Sequence, residues 1–208
     1  MVSINIKAVQ CTAQTADVSF VPVLLRRRLS ENIKTCLTVA HNLCPSDSDI
    51  VTVYASRFGE WQITAAQLEM EYSENVVSAA SFGLSVHNAG VGLWHLVTKN
   101  HQPYSSISAG ENSFDAGFIE ALSILTTDKK RVLYIYSDEA VPELYAKISP
   151  PNFVPLTVGV LLEPGTDFSV EFGRFTSAPI APLNFFDFLT AKDAVFNAPF
   201  YQLQRTKC

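Results

Sequence analysis

The stretch from Pro103 to Leu122, PYSSISAGENSFDAGFIEAL, constrains the fold more than any other part of the chain. A short β-rich run, Tyr104 to Ser108, turns through Ala109-Gly110 into small and apolar residues that read as a helix from Asn112 to Leu125. A strand that feeds a buried helix through a glycine turn presents one side chain at the helix's N-terminal end. There, unpaired N–H groups and the helix dipole favour negative charge. This is the geometry of a nucleophile elbow.

Strands and helices alternate on either side of this turn. Ile4 to Cys11 reads as a strand, and Pro22 to Ala40 as one helix with Leu25, Leu29, Ile33, Cys36, Leu37 and Ala40 on a single stripe. After the polar turn Pro45 to Asp49, the β-branched run Ile50 to Ala55 has the character of a strand covered on both faces. Helices are expected at Trp61 to Glu71 and Ala89 to Lys99, and an apolar strand at Arg131 to Ser137. Val154 to Glu163 and Phe168 to Phe175 read as a hairpin about Pro164 to Asp167, and Leu183 to Leu189 as a short helix in an aromatic, proline-punctuated tail. This alternation argues an α/β layered domain with a mixed sheet.

Hydrophobic residues make up 48% of the 208 residues and charged residues 17%, an apolar balance for a monomer in water. Either much of the chain is buried or a partner covers a large face. A net charge of −5 argues against nucleic acid as that partner. No apolar run reaches the ~20 residues of a membrane span, and the first residues lack a signal-peptide core, so the expected compartment is the cytoplasm. Cys11, Cys36, Cys44 and Cys208 have no zinc-site spacing, and His41 does not supply one; they read as reduced thiols packed as small apolar groups.

Four stretches, in order, resemble β-ketoacyl synthases over roughly Ile4 to Phe175. They are Ala55-Ser-Arg-Phe-Gly-Glu60, Leu84-Ser-Val-His-Asn88 with Ala89-Gly90, Pro103 to Glu111, and Val132 to Glu139, the last ending in an acid. LRRRL at Leu25 to Leu29, SVHNA and ISAGENSF look like the half-length "ketoacyl synthase, N-terminal" proteins. Those occur with aryl polyene and related polyketide or fatty acid gene sets and are described as chain-length-factor-like. The resemblance implies a thiolase-like α/β fold, a mixed five-stranded sheet layered with helices. It implies one domain over residues 1–208, with 176–208 as an aromatic C-terminal extension.

In the family the elbow presents a cysteine that carries the acyl chain, and two histidines and a lysine from a second half of the fold supply the donors for condensation. The cysteine position here is Glu111 and the last histidine is His101; Lys147, Lys192 and Lys207 remain without a histidine pair, and the chain ends where the second half would begin. The resemblance therefore implies no catalytic residue, no metal and no cofactor of its own. It implies a heterodimer with a full-length β-ketoacyl synthase that holds the phosphopantetheine-borne chains of an acyl carrier protein. It places Tyr104, Ser105, Ser106, Ile107 and Ser108 at the contact, with Trp94 on the neighbouring apolar helix. It also makes Phe58 and Phe114 tunnel or gating residues, the Phe58 ring acting as a steric stop, while the residue alone reads equally as an ordinary core aromatic.

Several positions keep two readings at this stage. Glu111 either polarises a bound thioester or is an acid satisfied by backbone N–H groups, and Asp115 continues the same acidic turn. Arg26, Arg27 and Arg28 either meet the acidic surface of a carrier protein, or form a solvated face or a contact to the partner subunit. His87-Asn88 caps the Ala89 helix, with His87 as a hydrogen-bonded imidazole. Two rival functions stand beside the subunit reading. One is a malonyl decarboxylase or thioester hydrolase using Glu111 or Ser113, disfavoured because no histidine follows to act as base. The other is a homodimeric acyl-binding module.

Overall fold

The computed structural model describes residues 2–12, 16–45, 49–128, 130–150, 153–191 and 193–206; for residues 8–12 only the backbone is described. Cys208, Lys192 and Lys207, and the side chain of Cys11, lie outside the described residues. The strands are β1 (Val2–Thr12), β2 (Val51–Ala55), β3 (Tyr104–Ile107), β4 (Val132–Asp138), β5 (Leu156–Pro164), β6 (Phe168–Phe172), β7 (Val195–Asn197) and β8 (Tyr201–Arg205). They form one sheet in the order β3-β2-β4-β5-β1-β6-β8-β7. β3, β2 and β4 run parallel, and every later pairing is antiparallel.

Among the described residues the sheet thus has eight strands where the resemblance implied five. β1 to β6 coincide with segments read as strands from the sequence, and the C-terminal segment adds β7 and β8, with β8 paired to both β6 and β7. The expected hairpin is also corrected. β1 lies between β5 and β6, and the Pro164–Asp167 turn crosses over it, with the N–H groups of Thr166 and Asp167 donating to Asn5 Oδ1 at 2.7 and 2.9 Å.

The helices are α1 (Val23–Arg26), α2 (Glu31–Leu43), α3 (Trp61–Glu74), α4 (Ala79–Ser85), α5 (Ala89–Thr98), α6 (Ser113–Asp128) and α7 (Pro182–Ala191). The single helix expected over Pro22–Ala40 is broken at Ser30, whose side chain leaves the helical path to accept the N–H of Ile33 at 2.9 Å and so caps α2. The apolar stripe survives the break, because Leu25, Leu29, Ile33 and Cys36 still face one cluster.

Alternation along the central strands builds two cores, one on each face of the sheet. Val53, Ala55, Val132, Tyr134, Val158, Val160 and Leu162 meet α6 and α7 on one face. Tyr54, Leu133, Ile135 and Leu161 meet α2 and α5 on the other. α7, β7 and β8 contribute to the first core: Phe185, Phe188, Phe196, Tyr201 and Leu203 are buried there with Phe114 and Phe118. Cys36 and Cys44 are buried among apolar side chains of the second, where burial pushes the Cys36 thiol up.

α6 lies close on the sheet because Gly117 faces it. A Cβ there would come within 2.6 Å of the Ala55 Cβ and 2.8 Å of the Tyr134 ring. That contact fixes the start of α6, and with it the turn before it.

Candidate functional site at the ends of the parallel strands

β2, β3 and β4 all end on the same edge, the position where open α/β sheets bind ligands. Three loops leave it: Ser56–Glu60, Ser108–Glu111 and the Asp138-Glu139 corner.

The elbow forms as the sequence suggests, with one difference. Gly110 has φ +59, in the left-handed region, and a 3₁₀ turn over Gly110–Asn112 precedes α6 at Ser113. Ser113, one of the two candidate hydrolase groups, is buried and holds this turn together. Its hydroxyl donates to the Gly110 carbonyl at 2.7 Å and accepts the Ala109 N–H at 2.9 Å.

Glu111 sits outside the first turn of α6 and points to solvent, its side chain 60% exposed and 3.4 Å from Arg57 Nη2. Among the described residues its partner is this guanidinium rather than the helix's N–H groups. An ion pair so exposed contributes about 0–1 kcal/mol.

Asp115 lies in the first turn of α6, as expected, and has a second role there. It is fully buried and accepts a hydrogen bond from the Tyr201 hydroxyl at 3.2 Å; burial raises its pKa to about 6. It therefore also joins α6 to β8.

Beside Glu111 lies a cavity of ≈ 380 Å³. Phe114 and Tyr136 line its inner side, Phe153, Leu156 and Ile180 its walls, and Arg57 and Glu111 its polar corner. Phe58 stands next to it, half-buried, with its ring 4.2 Å from Trp61 and 5.4 Å from Phe153, and with the Arg57 guanidinium 5.0 Å above the ring. Phe58 and Phe114 thus flank one region, linked through Phe153.

Acids that the sequence did not single out as functional pin this region. Asp138 Oδ1 accepts from Ser56 Oγ (2.5 Å), Arg57 N (2.9 Å) and Phe58 N (3.2 Å), and Oδ2 accepts from the Tyr136 hydroxyl. Glu139 accepts the N–H of Gln62 at 2.6 Å, at the start of α3. Glu60 accepts from Ser30 Oγ at 2.5 Å and Asn32 Nδ2 at 2.8 Å. The available signal was the pair of polar ends on two apolar strands, Ala55-Ser56 and Ser137-Asp138, which meet only once β2 and β4 are known to be neighbours.

Burial raises the pKa of all three, Glu139 from 4.5 to about 7. A carboxyl whose pKa is higher in the folded chain stabilises fully below its unfolded value, and that stabilisation is lost as pH rises through the folded value. The window for Glu139 is therefore about pH 4.5 to 7. Going from about pH 8 to about pH 5.5 should raise the wild-type Tm by a few degrees more than that of Glu139→Gln, after discounting for partial exposure. Equal gains in both proteins, measured by calorimetry, would contradict the assignment.

The β3 edge carries the expected contact residues. Tyr104 is 40% exposed, Ser105, Ser106 and Ile107 are half-buried, and Ser108 is exposed. An open depression of ≈ 500 Å³ beside it is lined by His87, Asn88, Tyr104, Ser106 and Ser108. His87 Nδ1 lies 2.6 Å from Ser106 Oγ, and its Nε2 donates to the Ser56 carbonyl at 3.0 Å, a tautomer set by these two partners. Asn88 makes no cap bond to α5 and instead reaches the Tyr104 hydroxyl at 3.4 Å.

Two expected positions move. Trp94 is 0% exposed, packed edge-on against Phe20 and His41, so it is core and not contact surface; Leu96, 67% exposed, is the outward residue of α5. Arg26 is occupied by the Ser19 and Val21 carbonyls, at 2.8 Å each from Nη2, because it closes the turn before α1. Arg27 and Arg28 are the exposed members of the trio. Among the described residues no group of histidine, cysteine, aspartate and glutamate could hold a metal ion, and no helix is long and apolar enough to cross a membrane.

Comparison with solved structures places this architecture. A chain in the complex of the ketosynthase ApeO with its chain length factor ApeC from Xenorhabdus doucetiae aligns with a TM-score of 0.82 at 22% identity, covering 99% of this chain and 100% of that one. The ishigamide ketosynthase/chain length factor aligns with a TM-score of 0.59 at 12% identity, over 71% of this chain and 49% of that one. The type II polyketide synthase complex AntDE:AntF, a ketosynthase with its acyl-carrier protein, aligns with a TM-score of 0.59 at 14% identity, over 75% and 56%. This chain therefore spans the full length of the first and about half of the other two. No curated protein matches the sequence. The model of the β-ketoacyl synthase N-terminal domain matches residues 5–181, from β1 to the loop before α7 and including the elbow, and the chain belongs to that family.

Proposed function

We propose that this chain is a chain-length-factor-like subunit that condenses nothing itself. In this reading it pairs through β3 with a full-length β-ketoacyl synthase and shapes the tunnel that receives the partner's acyl chain. The observation that carries the reading is Glu111. Where the family presents a thiol, this chain presents a solvent-facing carboxylate paired with Arg57, which cannot form a thioester. Turnover then belongs to a companion chain, which also holds the carrier protein's phosphopantetheine-borne intermediates in an aryl polyene, polyketide or fatty acid route.

Two further features support pairing. β3 ends the sheet and leaves an unpaired strand edge. Large apolar side chains are exposed on α3, α4, α5 and the segments joining them, among them Tyr72 (96%), Phe82 (60%) and Leu96 (67%). A monomer gains nothing from such exposure, whereas an obligate interface is rich in it. The three solved structures compared above contain a ketosynthase with a chain length factor or with a carrier protein. Arg27 and Arg28 are the residues we assign to any carrier-protein contact.

Co-expression with a ketosynthase of the same host should give a stable 1:1 complex on size exclusion, while the chain alone self-associates. In the reconstituted pair, Phe58→Ala should shift products to longer chains. A well-behaved monomer that ignores such partners overturns the pairing, and an unchanged product distribution overturns the tunnel role.

A further inference from the structure

The molecule holds a buried acid for which the subunit reading has no use, Asp138. Its carboxylate, 2% exposed, closes the end of β4 and faces the loop that follows β2. It has no salt-bridge partner among the described residues; its charge is met by donors alone. Those donors are the hydroxyls of Ser56 and Tyr136 and two successive backbone N–H groups, of Arg57 and Phe58. Successive N–H groups converging on one anion form a rigid concave cradle, and charged acceptors make the stronger hydrogen bonds.

The rest of the loop is fixed from it. Ser56 Oγ, held by Asp138, accepts the Gly59 N–H at 2.7 Å, and Gly59 turns the chain with φ +65. The Ser56 N–H donates to the Ile107 carbonyl at 3.1 Å, and Ser108 Oγ to the Arg57 carbonyl at 3.2 Å. Glu60 and Glu139 secure the far end at α3. Among these anchors the Phe58 side chain has only ring contacts, so the placement of its ring follows from where its backbone N–H is held.

We infer that Asp138 is a specificity-positioning residue, which sets product length by holding the backbone of Phe58 so that its ring stands at a fixed depth beside the cavity. The inference rests on the tunnel-shaping role proposed above. It adds that the stop is only as firm as the acid behind it, on a different strand and out of reach of the acyl chain.

The test is product analysis of the reconstituted pair carrying Phe58→Ala, Asp138→Ala, Asp138→Asn, and Phe58→Ala with Asp138→Ala. Asp138→Ala should raise the share of products beyond the wild-type limit at least about threefold, in the direction of Phe58→Ala. Asn, whose amide oxygen still accepts the two N–H groups, should restore much of the wild-type distribution. The double variant should match Phe58→Ala alone, because two residues acting through one ring are not additive. Ser56→Ala, which removes one arm of the same cradle, serves if Asp138→Ala does not fold. Increased quenching of Trp61, 4.2 Å from the Phe58 ring, should accompany the shift. If Phe58→Ala lengthens products while Asp138→Ala and Ser56→Ala only lower turnover at an unchanged distribution, the inference fails and the tunnel reading stands. If Phe58→Ala itself changes nothing, the tunnel reading fails. Additive lengthening in the double variant also overturns the inference.

Discussion

Ser106→Pro should abolish pairing with a ketosynthase while leaving the chain's own sheet intact. The ladder between β2 and β3 shows why. Thr52 N donates to the Pro103 carbonyl and Ser56 N to the Ile107 carbonyl, so Pro103, Ser105 and Ile107 turn their polar groups towards β2. In a parallel pair the intervening residues turn theirs away, which leaves Tyr104 and Ser106 with outward N–H and C=O groups. Proline at 106 removes an outward donor and sets a ring against an incoming strand, a substitution edge strands tolerate within their own fold. Affinity should fall at least ~100-fold, about 3 kcal/mol, with circular dichroism unchanged. Ser106→Ala, which loses only the hydroxyl near His87, should bind nearly as wild type. A complex that survives Ser106→Pro would exclude strand pairing at this edge.

The second large effect lies over the middle of the sheet, where α7 packs on β1 and β5. Phe185 of α7 is fully buried, with ring centroids 5.3 Å from Phe114, 4.9 Å from Phe118 and 5.3 Å from Phe196. Cutting it to alanine leaves a cavity between α6, α7 and β7, at a cost of about 3–5 kcal/mol. For a chain of this size that lowers Tm by roughly 10 °C or more. Phe200→Ala, at a ring 43% exposed, should stay within about 1 kcal/mol. Because Phe114 opens α6 directly after the elbow, the Phe185 variant should also loosen the Glu111 turn. Equal, small effects of the two substitutions in thermal melts would show the tail to be peripheral.

How far the sequence could be read depends on the range of each interaction. The elbow was legible because it is local: a β-rich run, a glycine with φ +59 and a helix follow one another within a few residues. β2 and β4 were legible as continuous apolar runs. The break at Ser30 was hidden because the apolar stripe continues across it, although a serine three residues before Ile33 is a cap signal. β7 and β8 were hidden for another reason: their pairing partners are set by the sheet, and prolines and aromatics mask the alternation of Tyr201–Arg205. Trp94 was assigned to the wrong surface because α5 is apolar all round, and such a helix does not say which face is inside. Arg26 and Asp138 owe their roles to carbonyls and N–H groups of other segments, which no side-chain pattern records.

The two ends of the sheet are unequal, and that decides how copies can add up. At one terminus stands β3 with its bare outward groups; at the other is β7, three residues long and backed by β8. In the proposed pair, a mate that docks antiparallel on β3 through its corresponding strand occupies the longer of the two edge strands among the described residues. That arrangement closes at two polypeptides, so the dose of this protein could be set against its companion without seeding fibres.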